Sequence, residues 1–348
     1  MRRCVGILMV VTLLLSIGST AQATRTWVSG NSGNWSNTGN WSGGTLPSSS
    51  ETAQVSNGTV TLDASQTIGQ LLMTYNATDN TTLNINTGAN LTVNKSSAEL
   101  FTLVKGGTTV GGTTVVNHSS GTVTVSAAGA GTGELRLVSA GTTTGTATYN
   151  LSGTAVLDTE VLSKGNATDT AATFNATGGT LVIRNMIYRF GLNSAGGGFN
   201  QGAATLEVGA INTVKAITIG NGTNAMDYTV GAGGTVNIDI ASASSFDSIL
   251  QYGNYATISN GAALGIRLAG GYTPTVGQTF DVWKFNTPSA TYDNGVGAFS
   301  TVPAGWTAAW VDSGSDGFKD TLRLTYTPEP ATIALLGLGL MAIRRNKK

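Results

Sequence analysis

The sequence predicts an all-β fold, a parallel β-solenoid of the right-handed β-helix type, and three observations carry that expectation. Composition is one. Glycine fills 48 of 348 positions, Thr, Ser and Asn fill much of the remainder, and charged residues make up 10%, against about 25% in ordinary soluble domains. β-Branched residues fit a pleated surface, while Gly and Asn supply the bends. Hydrophobic residues still reach 40%, enough for a core, which argues against disorder. A second observation is that no long stretch places apolar residues at helical spacing; short strand-patterned runs bounded by turn residues take its place.

Repetition is the third. Strand–turn–strand units recur around Gly88, Gly121, Gly153, Gly178, Gly233 and Gly261. Where the pattern is clear the interval is about 25 to 33 residues, a solenoid period. A gap separates Gly178 from Gly233. Each unit cannot bury its apolar face alone, and stacking on its neighbours closes the core. A β-sandwich or jelly roll, also built of short strands, is the competing architecture.

Taken in chain order, residues 1–23 read as a secretory signal peptide. Arg2 and Arg3 form the positive start, Val5 to Ile17 the apolar centre, and Ala21-Gln22-Ala23 the small-x-small cleavage pattern. The mature chain is expected to begin near Thr24, with the Sec translocon and signal peptidase as partners. Cys4 is the one cysteine; losing it leaves no disulfide, thiol nucleophile or cysteine metal site. Residues 24–60 form a Trp-rich N-terminal cap containing Trp27, Trp35 and Trp41. These rings are expected to cover the first rung, whose strand edge is otherwise open; the functional alternative is an aromatic platform contacting glycan. Residues 61–270 are the solenoid body, and 271–327 a β-hairpin region closing it.

Residues 328–348 end the chain: Pro328-Glu329-Pro330, an apolar run from Ala331 to Ile343, then Arg344-Arg345-Asn346-Lys347-Lys348. A short apolar transmembrane segment closed by positive charge stops with its basic end in the cytoplasm. The two prolines hold the acidic residue extended, accessible to a membrane-embedded processing enzyme. These three parts, in this order, resemble the PEP-CTERM sorting signal of Gram-negative bacteria. The resemblance implies an exosortase as transient partner at the inner membrane, release outside it, a surface or extracellular location, and exopolysaccharide as a candidate partner. The processing residues are then Ala21, Ala23, Pro328, Glu329, Pro330, Arg344 and Arg345.

The Gly-Asn-Trp repeats around Trp35 and Trp41, with Pro47 and Glu51 after them, resemble the start of autotransporter β-helix passengers. The segments Phe246–Gly253 and Gly270–Trp283 are similar to the closing rungs of the same family. Those proteins export themselves through an outer-membrane barrel; here the sorting tail is expected to take its place.

Charge excludes one class of partner. Six of the 18 basic residues lie in the two end segments, leaving 12 basic against 17 acidic once Glu329 is also removed. A mildly acidic chain does not suit nucleic acid, which requires a clustered basic surface.

Candidate chemistry is sparse, and the expectation is no enzyme and no cofactor. His118, the one histidine, is read as sitting in an exposed turn, and no Gly-x-Ser-x-Gly elbow marks a nucleophile. A β-helix polysaccharide lyase or glycosidase needs grouped carboxylates; Asp158 and Glu160, two apart on one strand face, are the candidates, with a solvated strand end as the plainer reading. Asp312, Asp316 and Asp320 with Gly317 fit part of a calcium-loop frame. Gly314 and Arg323 do not fit it, and a simple turn accounts for the same residues. The expected function is a matrix, envelope or adhesive component of the cell surface. The alternatives are a carbohydrate-binding adhesin using the N-terminal tryptophans and a polysaccharide-degrading enzyme.

Overall fold

The computed structural model describes residues 23–328 apart from 29, 75, 77, 95–98, 106–111, 128–132, 140–144, 166–170, 191–197, 222–224, 254, 287–292 and 316. The chain winds through three strand positions per coil. Sheet 1 has ten strands, from Ser32–Asn34 through Thr113–His118 and Thr146–Leu151 to Gly295–Val296. Sheet 2 runs from Gln66–Ile68 through Leu91–Val93 and Thr122–Val125 to Ala263–Leu268, and sheet 3 from Thr24–Thr26 through Gln70–Met73 and Glu134–Val138 to Thr279–Phe285. Two long strands, Val156–Ser163 and Thr180–Tyr188, bend from sheet 2 into sheet 3 without a break, so these two sheets share one hydrogen-bonded ladder.

Pairing between successive coils is parallel throughout, as in Thr113 over Asn80 and under Thr146. Antiparallel ladders occur at the C-terminal end, where strands Trp306–Val311 and Thr321–Tyr326 pair as a hairpin and the second lies on Thr279–Phe285. The architecture is therefore the solenoid and not the sandwich or jelly roll, whose strands pair antiparallel.

Parallel stacking places equivalent residues one rung apart, about 4.8 Å, so the interior fills in columns. One sheet 1 column contains Leu83, Val116, Tyr149 and Phe174 in register, continuing to Phe199 and Tyr228. Its rings stack with centroids 5.2 Å apart for Tyr149–Phe174 and 5.3 Å for Phe174–Phe199 and Phe199–Tyr228, the separation that parallel aromatic contact favours. The Gln251 side chain is satisfied within this interior. The Gln251 amide donates to the carbonyls of Met226 and Tyr255 at 3.0 and 2.6 Å and accepts from Trp283 Nε1 at 2.9 Å.

The corner between sheets 1 and 2 explains the recurring glycine. Gly88, Gly121, Gly153, Gly179, Gly233 and Gly261 all adopt positive φ; in the fourth unit the left-handed residue is Gly179 and not its neighbour Gly178. At Gly121, φ is +76° and a Cβ would lie 2.2 Å from the Ala89 carbonyl oxygen one coil below. The 178–233 gap holds a complete coil, Phe199–Gln201, Thr205–Val208 and Ala216–Ile219. Its corner turns through Gly202-Ala203-Ala204 with no positive φ.

Candidate functional site

The N-terminal tryptophans are buried, which is at odds with the alternative of a glycan platform. Trp27, Trp35 and Trp41 are 1%, 0% and 2% exposed. Trp41 sits edge-on between the other two, with centroids 5.1 Å from Trp27 and 4.7 Å from Trp35. Trp41 Nε1 donates to the Trp35 carbonyl at 2.9 Å and Trp27 Nε1 to Asn31 at 3.1 Å. A sugar platform needs an open ring face, and these rings offer none.

His118 is corrected as well. It is fully buried on the inner face of Thr113–His118, in the same column as Ile85 and Leu151. Its Nε2 faces the Gly121 carbonyl at 3.1 Å and its Nδ1 the Tyr149 hydroxyl at 2.9 Å. Because the carbonyl can only accept, Nε2 carries the proton and Tyr149 donates to Nδ1. Burial holds the ring neutral, with its pKa pushed down to about 4.

Asp158 and Glu160 are committed elsewhere. Asp158 pairs with Arg184 of the next coil, a cation absent from the local sequence, and Glu160 Oε2 accepts the Gly133 amide at 2.8 Å. In the last hairpin, Asp320 accepts the Ser313 amide and hydroxyl at 3.0 and 2.8 Å, and Asp312 accepts the Gly317 amide at 2.8 Å. These are the contacts of a turn. Asp316 lies outside the described residues, and among those described no group of three His, Cys, Asp or Glu could hold a metal ion.

Two surface features stand out instead. The first is the outer face of sheet 1. None of its ten strands contains Asp, Glu, Lys or Arg. Its outward rows are mostly amides and hydroxyls, with Val115 among them. Asn84, Asn117, Asn150, Asn175 and Asn200 form a ladder, each Nδ2 donating to the preceding Oδ1 at 3.0, 3.0, 3.0 and 2.9 Å. Beside it run Thr82, Val115, Thr148 and Thr173 in register, and Thr146 Oγ1 donates to Thr113 Oγ1 at 3.0 Å.

Charge is concentrated on sheets 2 and 3. Glu134 pairs with Arg136 at 2.6 Å, and Arg323 pairs with Asp281 at 2.6 Å. Arg267 bridges Glu207 and Asp239 at 2.6 and 2.5 Å. Asp247, buried beside this bridge, accepts the amides of Lys215 and Asp239, both at 2.7 Å. Burial pushes its pKa up to about 7 despite those two bonds. At the corner between these sheets lies the second feature, an open cleft of about 630 Å³ lined by Glu160, Arg184, Asn185, Thr213 and Lys215 among others. Neither feature follows from a local motif, because each is assembled from residues one coil or more apart.

The processing residues fall at or beyond the ends of this body. Ala23 is exposed, with its carbonyl accepting the Thr52 amide at 3.0 Å; Ala21 lies outside the described residues. At the other end the Thr327 amide donates to the Gly305 carbonyl at 2.7 Å, and Pro328 follows directly. Glu329, Pro330, Arg344, Arg345 and the expected transmembrane run lie outside the described residues. Among the described residues no helix is long and apolar enough to cross a membrane.

Residues 327–348 match the PEP-CTERM protein-sorting motif. No curated protein matches the chain. The motif implies an exported, surface-directed protein processed by an exosortase.

Proposed function

With an exosortase sorting motif as its tail, we propose that the chain is a structural component of the extracellular matrix of a Gram-negative bacterium, associated with exopolysaccharide and without catalytic activity of its own. The tail holds it briefly in the inner membrane until the exosortase releases the β-solenoid. The observation that carries the reading is the charge-free outer face of sheet 1, whose Asn and Thr rows repeat at the rung spacing. Each of the inner amides, Asn117, Asn150 and Asn175, spends one donor and one acceptor on the ladder and keeps a second donor and lone pair for an outside partner. A single such contact is weak in water. Many in a row on a rigid surface add through effective concentration, which suits a polymer with a hydroxyl on every unit.

A structural role also accords with where the carboxylates go. Asp158 and Glu160 serve an ion pair and a backbone amide, whereas a glycosidase needs one such group protonated as an acid. Fractionating the host culture tests the reading: the protein is expected with the polysaccharide matrix, and its loss is expected to weaken that matrix. Protein confined to the cytoplasm, or cleavage of the host's own polymer by the purified chain, contradicts it.

A further inference from the structure

The corner cleft is used by nothing described so far, and its chemistry is specific. Lys215 is exposed and its ammonium enters no ion pair among the described residues. Arg184 spends Nη2 on Asp158, and its Nε is buried without an acceptor. Asn185 and Thr213 add an exposed amide and hydroxyl. Glu160 brings one carboxylate, anchored by Gly133. Lys215, with the Asp158-paired Arg184 beside it and neutral hydrogen-bonding groups around them, attracts an anion that also carries hydroxyls. The Glu160 carboxylate can itself accept a sugar hydroxyl. A volume of about 630 Å³ lies within the range of small-ligand sites, and its open mouth leaves room for a chain to continue on either side. The lining is too polar for an apolar ligand.

From this, we infer that the cleft is a subsite for one carboxylated sugar unit of an acidic polysaccharide, with Lys215 and Arg184 facing the carboxylate and Asn185, Thr213 and Glu160 the hydroxyls. The inference rests on the matrix reading above and names a class of polymer for it.

Calorimetry on the chain purified from its host's medium tests it, with a short oligouronate and its carboxyl-reduced, neutral counterpart as probes. The oligouronate is expected to bind, the neutral form at least tenfold more weakly. Lys215→Gln is expected to remove most of the difference and Lys215→Arg to keep it; both substitutions lie on an exposed side chain, so the fold persists. Equal binding of the two probes, no binding of either, or full affinity in Lys215→Gln overturns the assignment. The two readings fail separately: a matrix-bound protein that ignores oligouronate loses only the cleft, and a cytoplasmic protein that binds it loses only the surface role.

Discussion

The Tyr149 hydroxyl donates to His118 Nδ1 at 2.9 Å across adjacent coils, in a part of the core closed to solvent. Removing His118 leaves a buried phenol without an acceptor, which costs about 1–3 kcal/mol. His118→Leu is therefore expected to lower stability by that amount although Leu matches the Ile85 and Leu151 of its column. Tyr149→Phe in the same chain is expected to restore most of it. Urea midpoints for the two single variants and the double variant check this; additive losses would mean that the two residues are not coupled.

The asparagine ladder has a middle and an end. Asn150 makes two ladder bonds and Asn200 one. At about 0.5–1.5 kcal/mol net for each bond, Asn150→Ala is expected to cost about 1–3 kcal/mol and Asn200→Ala about half as much. Equal losses in chemical unfolding would mean that the amides act singly.

Two corner glycines separate strain from clash. Gly88 and Gly121 share positive φ, yet a Cβ on Gly88 meets nothing within 4 Å, whereas one on Gly121 lies 2.2 Å from the Ala89 carbonyl oxygen. Gly88→Ala is expected to cost about 1–2 kcal/mol for the left-handed conformation alone. Gly121→Ala is expected to cost about 1–3 kcal/mol more for the forced displacement. Thermal unfolding of both variants measures the difference.

Two buried titrating groups respond oppositely to pH. His118 has its pKa depressed to about 4, below its ordinary value near 6.5, so its contribution is present above pH 6.5 and is lost as pH falls through 4. Asp247 has its pKa raised to about 7, from an ordinary value near 3.9. Its contribution is complete below that ordinary value and is lost as pH rises through 7. Asp247→Asn is thus expected to gain on the parent protein between pH 4 and 7, and His118→Leu to lose ground over the same interval. Unfolding free energies at three pH values read both slopes; parallel curves for parent and Asp247→Asn would exclude a role for that proton.

The solenoid was legible because its corners demand residues that can hold positive φ, and glycine recurs wherever the corner between sheets 1 and 2 does so. The coil between Gly178 and Gly233 is not legible in this way because its turn through Gly202 holds no positive φ. The inward position of His118 is hidden in the sequence for a related reason. The stretch Asn117-His118-Ser119-Ser120 is as polar as a turn, and only register against Ile85 and Leu151 sends the imidazole inward. The Asp158–Arg184 pair and the corner cleft lay beyond sequence reasoning, since their members are brought together by coil length and not by local spacing. The tail was legible because a sorting signal is read by its receptor as a short linear sequence.

Intact mass spectrometry of the protein from the host's medium and surface wash tests the central claim most directly. The account predicts a form that begins near Thr24 and ends close to Pro328, without Arg344 to Lys348. A membrane-bound form that retains those basic residues would contradict it, and the tail would then be a permanent anchor.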